Sequence, residues 1–164
     1  MLIRALKSNE VFLHRETRLR ALQQAPDAFG QSFDDVACRP ISFWVEQTEA
    51  VTAPGRNIMF LAREGDAVLG MIYGLRDPTD VRAGRLGGMW VDPLCRCEGV
   101  GNALLEAVIS WALAQNMTCL GLWVSVPNVT AISFYRLAGF SETDKQGFLN
   151  EDRCIQTIEM IYNL

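Results

Sequence analysis

The chain has 164 residues, of which 49% are hydrophobic, and a formal net charge of −4. This length and apolar fraction suit one folded domain with a core of its own, so we expect a single domain over residues 1–164. Without a run of Lys and Arg the chain lacks the basic surface that nucleic-acid binding requires, and without an apolar run of ~20 residues or a signal peptide it is expected to be soluble, cytoplasmic and not bound to membranes.

The N-terminal half of the chain is predicted to contain one strand, several helical pieces and a hairpin. Proline and glycine mark the boundaries, because proline ends a helix and glycine beside aspartate suits a tight turn. In chain order the predicted elements are a strand over 2–6, a helix capped by Ser8 or Asn9 and ended by Pro26, a loop or short helix over 26–39, a helix from Pro40 to just before Pro54, and hairpin strands over 58–63 and 67–75.

Residues 86–101 change from the spacing of a strand to that of a helix, and they organise the rest of the chain. The stretch over 86–91 is extended, a glycine loop follows, and from Val100 onward apolar residues such as Leu104 and Val108 recur at helical intervals. Glycines at such a junction let the backbone approach a ligand, and the free N–H groups of the first helical turn then point at it. The stretch predicts an anion site, with an empty glycine turn as the alternative.

Two common nucleotide-binding motifs do not match this loop. It lacks the Lys-Ser/Thr pair of a P-loop, and Glu98 occupies a position where the dinucleotide fingerprint needs glycine. Neither of those two nucleotide folds is therefore expected, although another kind of mononucleotide site stays open.

The C-terminal third is predicted to complete a βαβ unit and to close the sheet. In chain order we expect a strand over 120–126, a helix capped by Asn128 and ended by Gly139, strands over 140–142 and 154–162, and a polar loop over 143–152 between them. The crossover places the strand at 120–126 parallel to the strand at 86–91. Three strands followed by a βαβ unit predict an α/β protein with a mixed sheet.

The cysteine pattern predicts reduced thiols, because the cysteines are odd in number and scattered: Cys38, Cys95, Cys97, Cys119 and Cys154. His14 is the one histidine of the sequence and no Cys-x-x-Cys pair occurs, so no metal site is expected. Cys97 lies in the glycine loop, where a helix N-terminus favours the thiolate, and a reactive thiol is one hypothesis. A small side chain tolerated in a tight turn is the favoured alternative.

Two segments resemble motifs of the GNAT superfamily of acyl-CoA-dependent N-acetyltransferases. Residues 96–101, Arg-Cys-Glu-Gly-Val-Gly, resemble its pyrophosphate-binding motif Gln/Arg-x-x-Gly-x-Gly/Ala. Residues 128–140 are similar to its Asn-x-x-Ala-x-x-x-Tyr-x-x-x-Gly-Phe segment. Residues 18–32 are also similar to the first helical region of many bacterial members, so the chain is identified as a member of the superfamily over nearly its whole length.

The resemblance implies the GNAT fold, an α/β arrangement of the α+β type. Its mixed, twisted sheet has about six or seven strands with about four flanking helices, and its two central parallel strands splay apart. The slot between them holds acetyl-CoA, the implied co-substrate, whose pantetheine arm pairs with the backbone of residues 89–91 like an added strand. The implied cofactor-binding residues are Met89, Trp90, Val91, Arg96, Cys97, Glu98, Gly99, Val100, Gly101, Asn102, Asn128, Ala131, Phe134 and Tyr135.

The resemblance further implies that Tyr135 and Asn128 are catalytic residues. A phenol keeps its proton at neutral pH, so Tyr135 is the implied general acid that protonates the departing thiolate. Asn128 is implied to hold the pantetheine amide or to organise water, Arg96 to reach a phosphate, and a main-chain N–H near Val91 to polarise the thioester carbonyl. Spacing alone favours core packing for Tyr135 and helix capping for Asn128, and those roles stay open.

The sequence does not supply a general base. Many family members carry a glutamate on the strand that corresponds to residues 84–89, and this chain has no acid there. Glu64, Asp77 and Asp80 are expected on solvated turns and His14 on a surface-facing helix, so none of them is assigned as the base. A water chain that ends at backbone carbonyls would serve an amine of modest pKa.

The implied acceptor is a primary amine of a small molecule or a peptide. The family selects it with the segment after the first helix and with the final hairpin loop, and both carry acids and aromatics here. Asp27, Phe29 and Phe33 on one side and residues 144–152 on the other suit a cationic amine, with a solvated acidic loop as the alternative. A homodimer is a further expectation, and an acyl-CoA-binding sensor without turnover is the alternative function.

Overall fold

The computed structural model of the chain describes residues 1–55, 57–149 and 154–164. This described part contains a seven-stranded sheet with the strands in the order β1-β2-β3-β4-β5-β7-β6. The strands are β1 (Leu2–Ala5), β2 (Ile58–Glu64), β3 (Ala67–Arg76), β4 (Ala83–Val91), β5 (Cys119–Ser125), β6 (Ser141–Phe148) and β7 (Gln156–Asn163). The α-helices are α1 (Val11–Gln24), α2 (Phe33–Ala37), α3 (Ile41–Thr52), α4 (Val100–Ala114) and α5 (Val129–Leu137), with short 3-10 turns at Pro26–Ala28 and Pro93–Cys95.

Strands β4 and β5 form the parallel pair in this sheet, and the other neighbouring strands are antiparallel. The parallel pairing runs from Ala83 opposite Cys119 to Arg85 opposite Gly121. Beyond Arg85 the two strands separate, while both continue for several residues. The expected mixed sheet with splayed central strands is confirmed, and a slot opens between the C-terminal halves of β4 and β5.

Buried side chains pack in two clusters on the two faces of the sheet. Met71 and Ile72 of β3 belong to different clusters, because alternate residues of a strand point to opposite faces. Helix α4 covers one face with Leu104, and α1 and α3 cover the other with Leu22 and Trp44. Each such side chain contributes roughly 1.5–3 kcal/mol by its burial, so helices packed on both faces stabilise the sheet that contains the slot. In the described ranges, no helix is both long and apolar enough to cross a membrane.

Helix α1 has no side-chain cap at Ser8 or Asn9, where the sequence predicts one. Glu10 precedes the helix and is bound by Arg4, whose Nη1 and Nη2 lie 2.8 and 2.7 Å from its two carboxylate oxygens. The same carboxylate accepts the backbone N–H of Lys7 at 2.8 Å. The capping prediction is wrong because an ion pair with β1 orders the turn before α1.

The C-terminal hairpin also differs from the sequence prediction. Strand β6 continues to Phe148 and pairs with β7, whereas the sequence predicts a loop over 143–152. Because β6 is an edge strand with mostly exposed side chains, its sequence is polar and has no apolar alternation that would reveal a strand. Of the predicted acceptor loop, residues 144–148 thus lie in β6, and residues 150–152 lie outside the described residues.

Candidate active site

A left-handed glycine bends β4 beside the slot. Gly88 has a φ of 56°, and the register between β3 and β4 shifts between Met71 and Tyr73, as expected where a strand carries a bulge. A Cβ atom on Gly88 would lie 2.4 Å from Cδ2 of Tyr73, so only glycine fits. The bulge lies directly before Met89 and separates the paired start of β4 from the part that borders the slot.

Helix α4 begins at this slot with free N–H groups. Gly99 precedes the first turn with a φ of 82° and no side chain caps it, and the first helical hydrogen bond is donated by Ala103. The N–H groups of residues 100–102 have no partner within the helix and can bind an anion. A Cβ atom on Gly101 would lie 3.2 Å from the methyl carbon of Met89, so this turn packs closely against β4.

The loop before α4 is exposed. Three loop residues that are predicted to bind the cofactor are exposed: Arg96, Cys97 and Glu98. Asn102, in the first turn of the helix, is exposed as well. Arg96 Nε donates to the carbonyl oxygen of Val91 at 3.3 Å, which holds the guanidinium near the end of β4. A cation thus lies in the loop that leads into α4, and this cation and the free N–H groups of the helix both favour an anion at the junction.

Tyr135 on α5 reaches across to β4. Its side chain is buried, and its hydroxyl donates to Sδ of Met89 at 3.2 Å. Its ring makes edge contacts with Phe134 and Phe140. Burial raises the pKa of the Tyr135 phenol above its usual value, because desolvation disfavours the anion. The phenol therefore keeps its proton at neutral pH, and Met89, Gly101 and Tyr135 meet on one side of the slot.

Other predicted site residues hold a helix end or have buried side chains. Asn128 caps α5 as predicted, since its Oδ1 accepts the N–H of Ala131 at 3.1 Å. Trp90 turns its side chain to the other face of the sheet, where it is buried against the guanidinium of Arg20, 4.7 Å from the ring centroid. Val100 is buried in the core as well. Trp90 and Val100 can therefore meet a ligand through their backbone only.

The residues predicted to contact the acceptor lie in different surroundings. Asp27 is exposed, and Phe33 is half-buried beside Leu19 of α1 at a surface cavity. Phe29 is buried, and the guanidinium of Arg18 lies 4.5 Å from its ring centroid. The three residues thus differ in exposure, and the ring of Phe29 packs against the cation of Arg18 rather than facing solvent.

The segment after α1 nevertheless meets the C-terminal hairpin. A Cβ atom on Gly30 would lie 2.7 Å from the carbonyl oxygen of Leu149, so the two segments are in close contact. Beside this contact is a cavity of about 330 Å³, lined by residues of β5, β6 and β7 and by the residue after β6: Trp123, Gly147, Phe148, Leu149 and Thr157. The cavity offers aromatic surface, because Trp123 and Phe148 are both exposed.

His14 is buried, which contradicts its predicted place on an exposed helix face. Its Nδ1 lies 2.9 Å from Oγ1 of Thr48, and its Nε2 lies 2.8 Å from the hydroxyl of Tyr73. Thr48 donates its own proton to the carbonyl of Trp44, so Nδ1 of His14 carries a proton and Nε2 accepts from Tyr73. The prediction is wrong because polar residues, His14 and Thr17, belong to the buried stripe of α1.

The burial of His14 predicts that the stability of the protein depends on pH. Desolvation by burial, with the nearby charge of Arg18, lowers the pKa of His14 from 6.5 to about 4. Between these values the unfolded chain binds a proton that the folded protein does not, so the free energy of unfolding falls as the pH drops through this window. The fall is roughly 3 kcal/mol at most.

Urea denaturation at several pH values between 6.5 and 4 measures this dependence. His14→Gln cannot titrate in this range, so its stability, although lower overall, should change less with pH than that of the wild type. Parallel pH profiles for the two proteins would show that His14 is not a buried neutral histidine.

Two residues that the sequence did not indicate, Tyr73 and Arg18, lie at the bulge of β4. Nη1 of Arg18 lies 3.5 Å from the position of a Cβ atom on Gly88, and the ring of Tyr73 is closer still. Arg18 follows His14 by one helical turn and shares its face of α1, which the sequence predicts to be exposed, so the sequence held no signal for Arg18 at the bulge. For Tyr73, a strand residue amid apolar neighbours, the sequence held no signal.

Acidic residues near the predicted site are engaged elsewhere. Hydrogen bonds from Thr79 and from Arg85 hold the pKa of Asp77 well below its usual range. Asp80 accepts a backbone N–H of the same turn, and Glu64 lies 3.7 Å from the N-terminal ammonium. None of these carboxylates reaches the slot as a base. Among the residues that the structure describes, no group of His, Cys, Asp and Glu is placed to hold a metal ion.

Comparison with known proteins supports the motif assignment. Residues 20–140 match the model of the acetyltransferase (GNAT) family. The mycothiol acetyltransferase of Segniliparus rotundus is 28% identical over 120 residues, which make up 71% of this chain and 42% of that protein. The chain spans less than half the length of the curated relatives it matches.

Solved structures share the fold over nearly the whole chain. The acetyltransferase of the GNAT family from Streptococcus pneumoniae superposes with a TM-score of 0.81 at 20% identity and covers 99% of both chains. The yncA protein of Salmonella typhimurium, solved with its cofactor acetyl-CoA, has a TM-score of 0.79 at 16% identity over 100% of this chain and 94% of that one. At these identities the likeness shows the fold, and it confirms the expected arrangement of sheet and helices.

Proposed function

This chain belongs to the acetyltransferase (GNAT) family, and from this premise we propose that it is an acyltransferase, which transfers the acetyl group of acetyl-CoA to a primary amine of a small molecule or a peptide. The amine is proposed to attack the thioester directly in a ternary complex. The observation that carries this proposal is the hydroxyl of Tyr135 on Met89, beside the slot that opens between β4 and β5.

The slot and the start of α4 support acetyl-CoA as the co-substrate. Backbone groups of residues 89–91 lie where β4 no longer pairs with β5, so they are proposed to pair with the pantetheine arm. The free N–H groups of residues 100–102 and the guanidinium of Arg96 are proposed to bind the pyrophosphate. The close approach of Gly101 to Met89 leaves little room for a side chain between α4 and β4.

The thiolate of CoA, the leaving group of the proposed reaction, needs a proton, and Tyr135 can supply it. The amine nitrogen forms a bond to the acetyl carbonyl carbon, the bond from that carbon to sulfur breaks, and Tyr135 gives its proton to the sulfur. A backbone N–H near Val91 is proposed to stabilise the charge on the carbonyl oxygen. The amine gives its own proton to water, because β4 carries no acid, and solvent returns a proton to Tyr135. The products are the N-acetyl amine and CoA.

One observation favours a second candidate function, an acyl-CoA sensor without turnover. Strand β4, with the sequence AGRLGGMWV, has no acidic side chain that could take the proton of the amine. The retained Tyr135 and Asn128 favour the enzyme. Release of CoA thiol in the presence of amines separates the two functions.

A thermal-shift experiment tests the cofactor site. Acetyl-CoA at about a hundred times its Kd would add roughly 2.7 kcal/mol to the stability of the folded state and raise Tm by roughly 5–10 °C. We expect acetyl-CoA and CoA to raise Tm and ATP to raise it less. A larger shift with ATP than with CoA would indicate a mononucleotide site and contradict the proposal.

Reversing the charge of Arg96 should weaken the binding of acetyl-CoA. Arg96→Glu puts a carboxylate where a cation is proposed to meet a phosphate, and we expect Kd to rise by about 10–100-fold because charged hydrogen bonds contribute about 1.5–3 kcal/mol. Isothermal titration calorimetry measures the effect. Arg96→Gln is the matched control with a smaller expected loss, and an unchanged Kd for Arg96→Glu would remove Arg96 from the site.

A further inference from the structure

Arg18 presents a buried, unpartnered N–H group at the bulge of β4. Its guanidinium lies 4.5 Å from the ring centroid of Phe29 and 6.0 Å from that of Tyr73, and its Nη2 donates to Oε1 of Gln31 at 3.1 Å. Its Nη1 is buried and has no hydrogen-bond partner among the described residues. This nitrogen lies 3.5 Å from the position of a Cβ atom on Gly88.

The charge of Arg18 is not balanced by a carboxylate in the described part of the chain. Arg20, two residues along the same helix, does have such a partner, since it lies 3.9 Å from Asp92. Burial lowers the pKa of Arg18, because desolvation disfavours the cation, although the group remains charged at neutral pH. The side chain as a whole is half-buried, but a charged nitrogen withdrawn from water without a counter-charge is costly, and such groups are usually paired.

Nη1 of Arg18 also differs from the other buried guanidinium nitrogens without partners. Among the described residues those are the Nε atoms of Arg20, Arg63 and Arg76, which carry one N–H each. A terminal nitrogen carries two and can form the charged hydrogen bonds that a carboxylate accepts. The unpartnered nitrogen is therefore at the end of the guanidinium that suits an anion.

An anion bound to Arg18 would lie near the residues that are proposed to carry out the reaction. Gly88 directly precedes Met89, whose Sδ accepts the hydroxyl of Tyr135, and consecutive Cα atoms are ~3.8 Å apart. The unpartnered N–H groups of Nη1 thus lie beside the residue of β4 that precedes Met89, on the face of the sheet that α1 covers. An anion held there would belong to the acceptor, because the phosphates of the co-substrate are proposed to lie at the start of α4.

The acidic side chains of the segment after α1, which carries the acids that suit a cationic acceptor, do not lie at the bulge. Asp34 and Asp35 are exposed in the first turn of α2, and Asp35 accepts from the hydroxyl of Ser32 at 2.5 Å. Carboxylates at a helix N-terminus are stabilised by the helix dipole, which accounts for these two without an acceptor. Asp27 is exposed as well. At the bulge itself the charged side chain is Arg18.

We infer that Arg18 binds a carboxylate of the acceptor, and that the acceptor is an α-amino acid or a similar short amino carboxylate. This inference rests on the proposed acetyl transfer to an amine and names the substrate class. In a peptide, the carboxylate next to the N-terminal amine is replaced by a peptide bond, so long peptides are expected to be poor acceptors. The cavity with Trp123 and Phe148 adjoins the segment of Gly30 and Gln31, and it suits an apolar or aromatic side chain on the amino acid.

Matched pairs of amines test this inference. We would measure kcat/KM for L-phenylalanine, L-leucine and L-methionine and for the primary amide of each, with the wild type, Arg18→Gln and Arg18→Lys. The amide removes the carboxylate and keeps the amine and the side chain. We expect the ratio of acid to amide to fall by about 10–100-fold in Arg18→Gln, because a charged hydrogen bond is lost, and to fall less in Arg18→Lys.

The matched control is Arg20→Gln, two residues along the same helix. Arg20 lies on Trp90 and near Asp92 and does not face the bulge, so the ratio of acid to amide should equal that of the wild type. An equal ratio in the wild type and Arg18→Gln would overturn the inference. A wild type that acetylates amides as well as acids would overturn it too, while the proposed function would stand.

A binding measurement keeps the test independent of turnover. We would titrate N-acetyl-L-phenylalanine and its amide into the wild type and Arg18→Lys with CoA already bound. The acid is expected to bind at least about tenfold more tightly than the amide to the wild type. Equal binding of acid and amide, or no binding of either, would overturn the assignment of Arg18. Release of no CoA with any amine would count against the proposed function instead.

Discussion

Replacing Tyr135 by phenylalanine is expected to lower kcat by about 10²–10⁴-fold, the usual contribution of a positioned general acid. The ring of Phe keeps the contacts with Phe134 and Phe140, and the variant loses only the hydroxyl that donates to Met89. Because sulfur is a weak acceptor, the free energy of unfolding should change by less than about 1 kcal/mol. The affinity for acetyl-CoA should also stay close to that of the wild type.

A second tyrosine provides the control for this prediction. Tyr162 on β7 also packs against Phe140, with ring centroids 5.2 Å apart, and no role at the slot is proposed for its hydroxyl. Tyr162→Phe should therefore keep wild-type kcat. Steady-state rates of CoA release measured across a range of pH compare the two variants. Full turnover by Tyr135→Phe at every pH would show that Tyr135 is not the general acid and that its role is core packing.

The Gly88→Ala substitution is expected to destabilise the protein by roughly 2–5 kcal/mol. The left-handed backbone at Gly88, with a φ of 56°, costs a residue with a Cβ atom about 1–2 kcal/mol. The new methyl group would also lie 2.4 Å from the ring of Tyr73, and such overpacking typically costs about 1–3 kcal/mol. Tyr73 is held by His14, so its ring cannot move away freely.

The neighbouring glycine makes a matched control. A Cβ atom on Gly87 would meet no atom within 4 Å, so Gly87→Ala should keep nearly wild-type stability. Urea denaturation of the two variants gives the comparison. If Gly88→Ala were as stable as Gly87→Ala, β4 would not contain the bulge described here. Any folded fraction of Gly88→Ala should also lose activity, because the bulge positions Met89 and Arg18.

Features that depend on neighbouring residues were predictable from the sequence. The Asn128 cap bonds three residues along the chain, and the glycines before α4 determine the start of that helix. The splayed parallel strands were expected because the motifs at 96–101 and 128–140 resemble those of a family with that sheet. The two motifs specify the cofactor side of the site, and the fold that they imply is the one observed.

Features that depend on distant contacts were not predictable in the same way. His14 is bound to Thr48, 34 residues away, and to Tyr73, 59 residues away, and its polar neighbours predict an exposed face. The role proposed for Arg18 depends on its position beside Gly88, which lies on a different element, β4. Strand β6 is polar because it is an edge strand, so its pairing with β7 is not visible in its pattern.

The proposal for the acceptor therefore rests on the structure, and the proposal for the cofactor rests on motifs that the sequence already shows. One measurement tests the central claim, transfer of an acetyl group to an amine, most directly. The protein is incubated with acetyl-CoA and a panel of amines, amino acids included, and both free CoA thiol and acetylated amine are quantified by mass spectrometry. Acetyl transfer to an amine predicts equal amounts of the two products and their loss in Tyr135→Phe. Tight binding of acetyl-CoA with no CoA released by any amine would contradict it and identify a sensor.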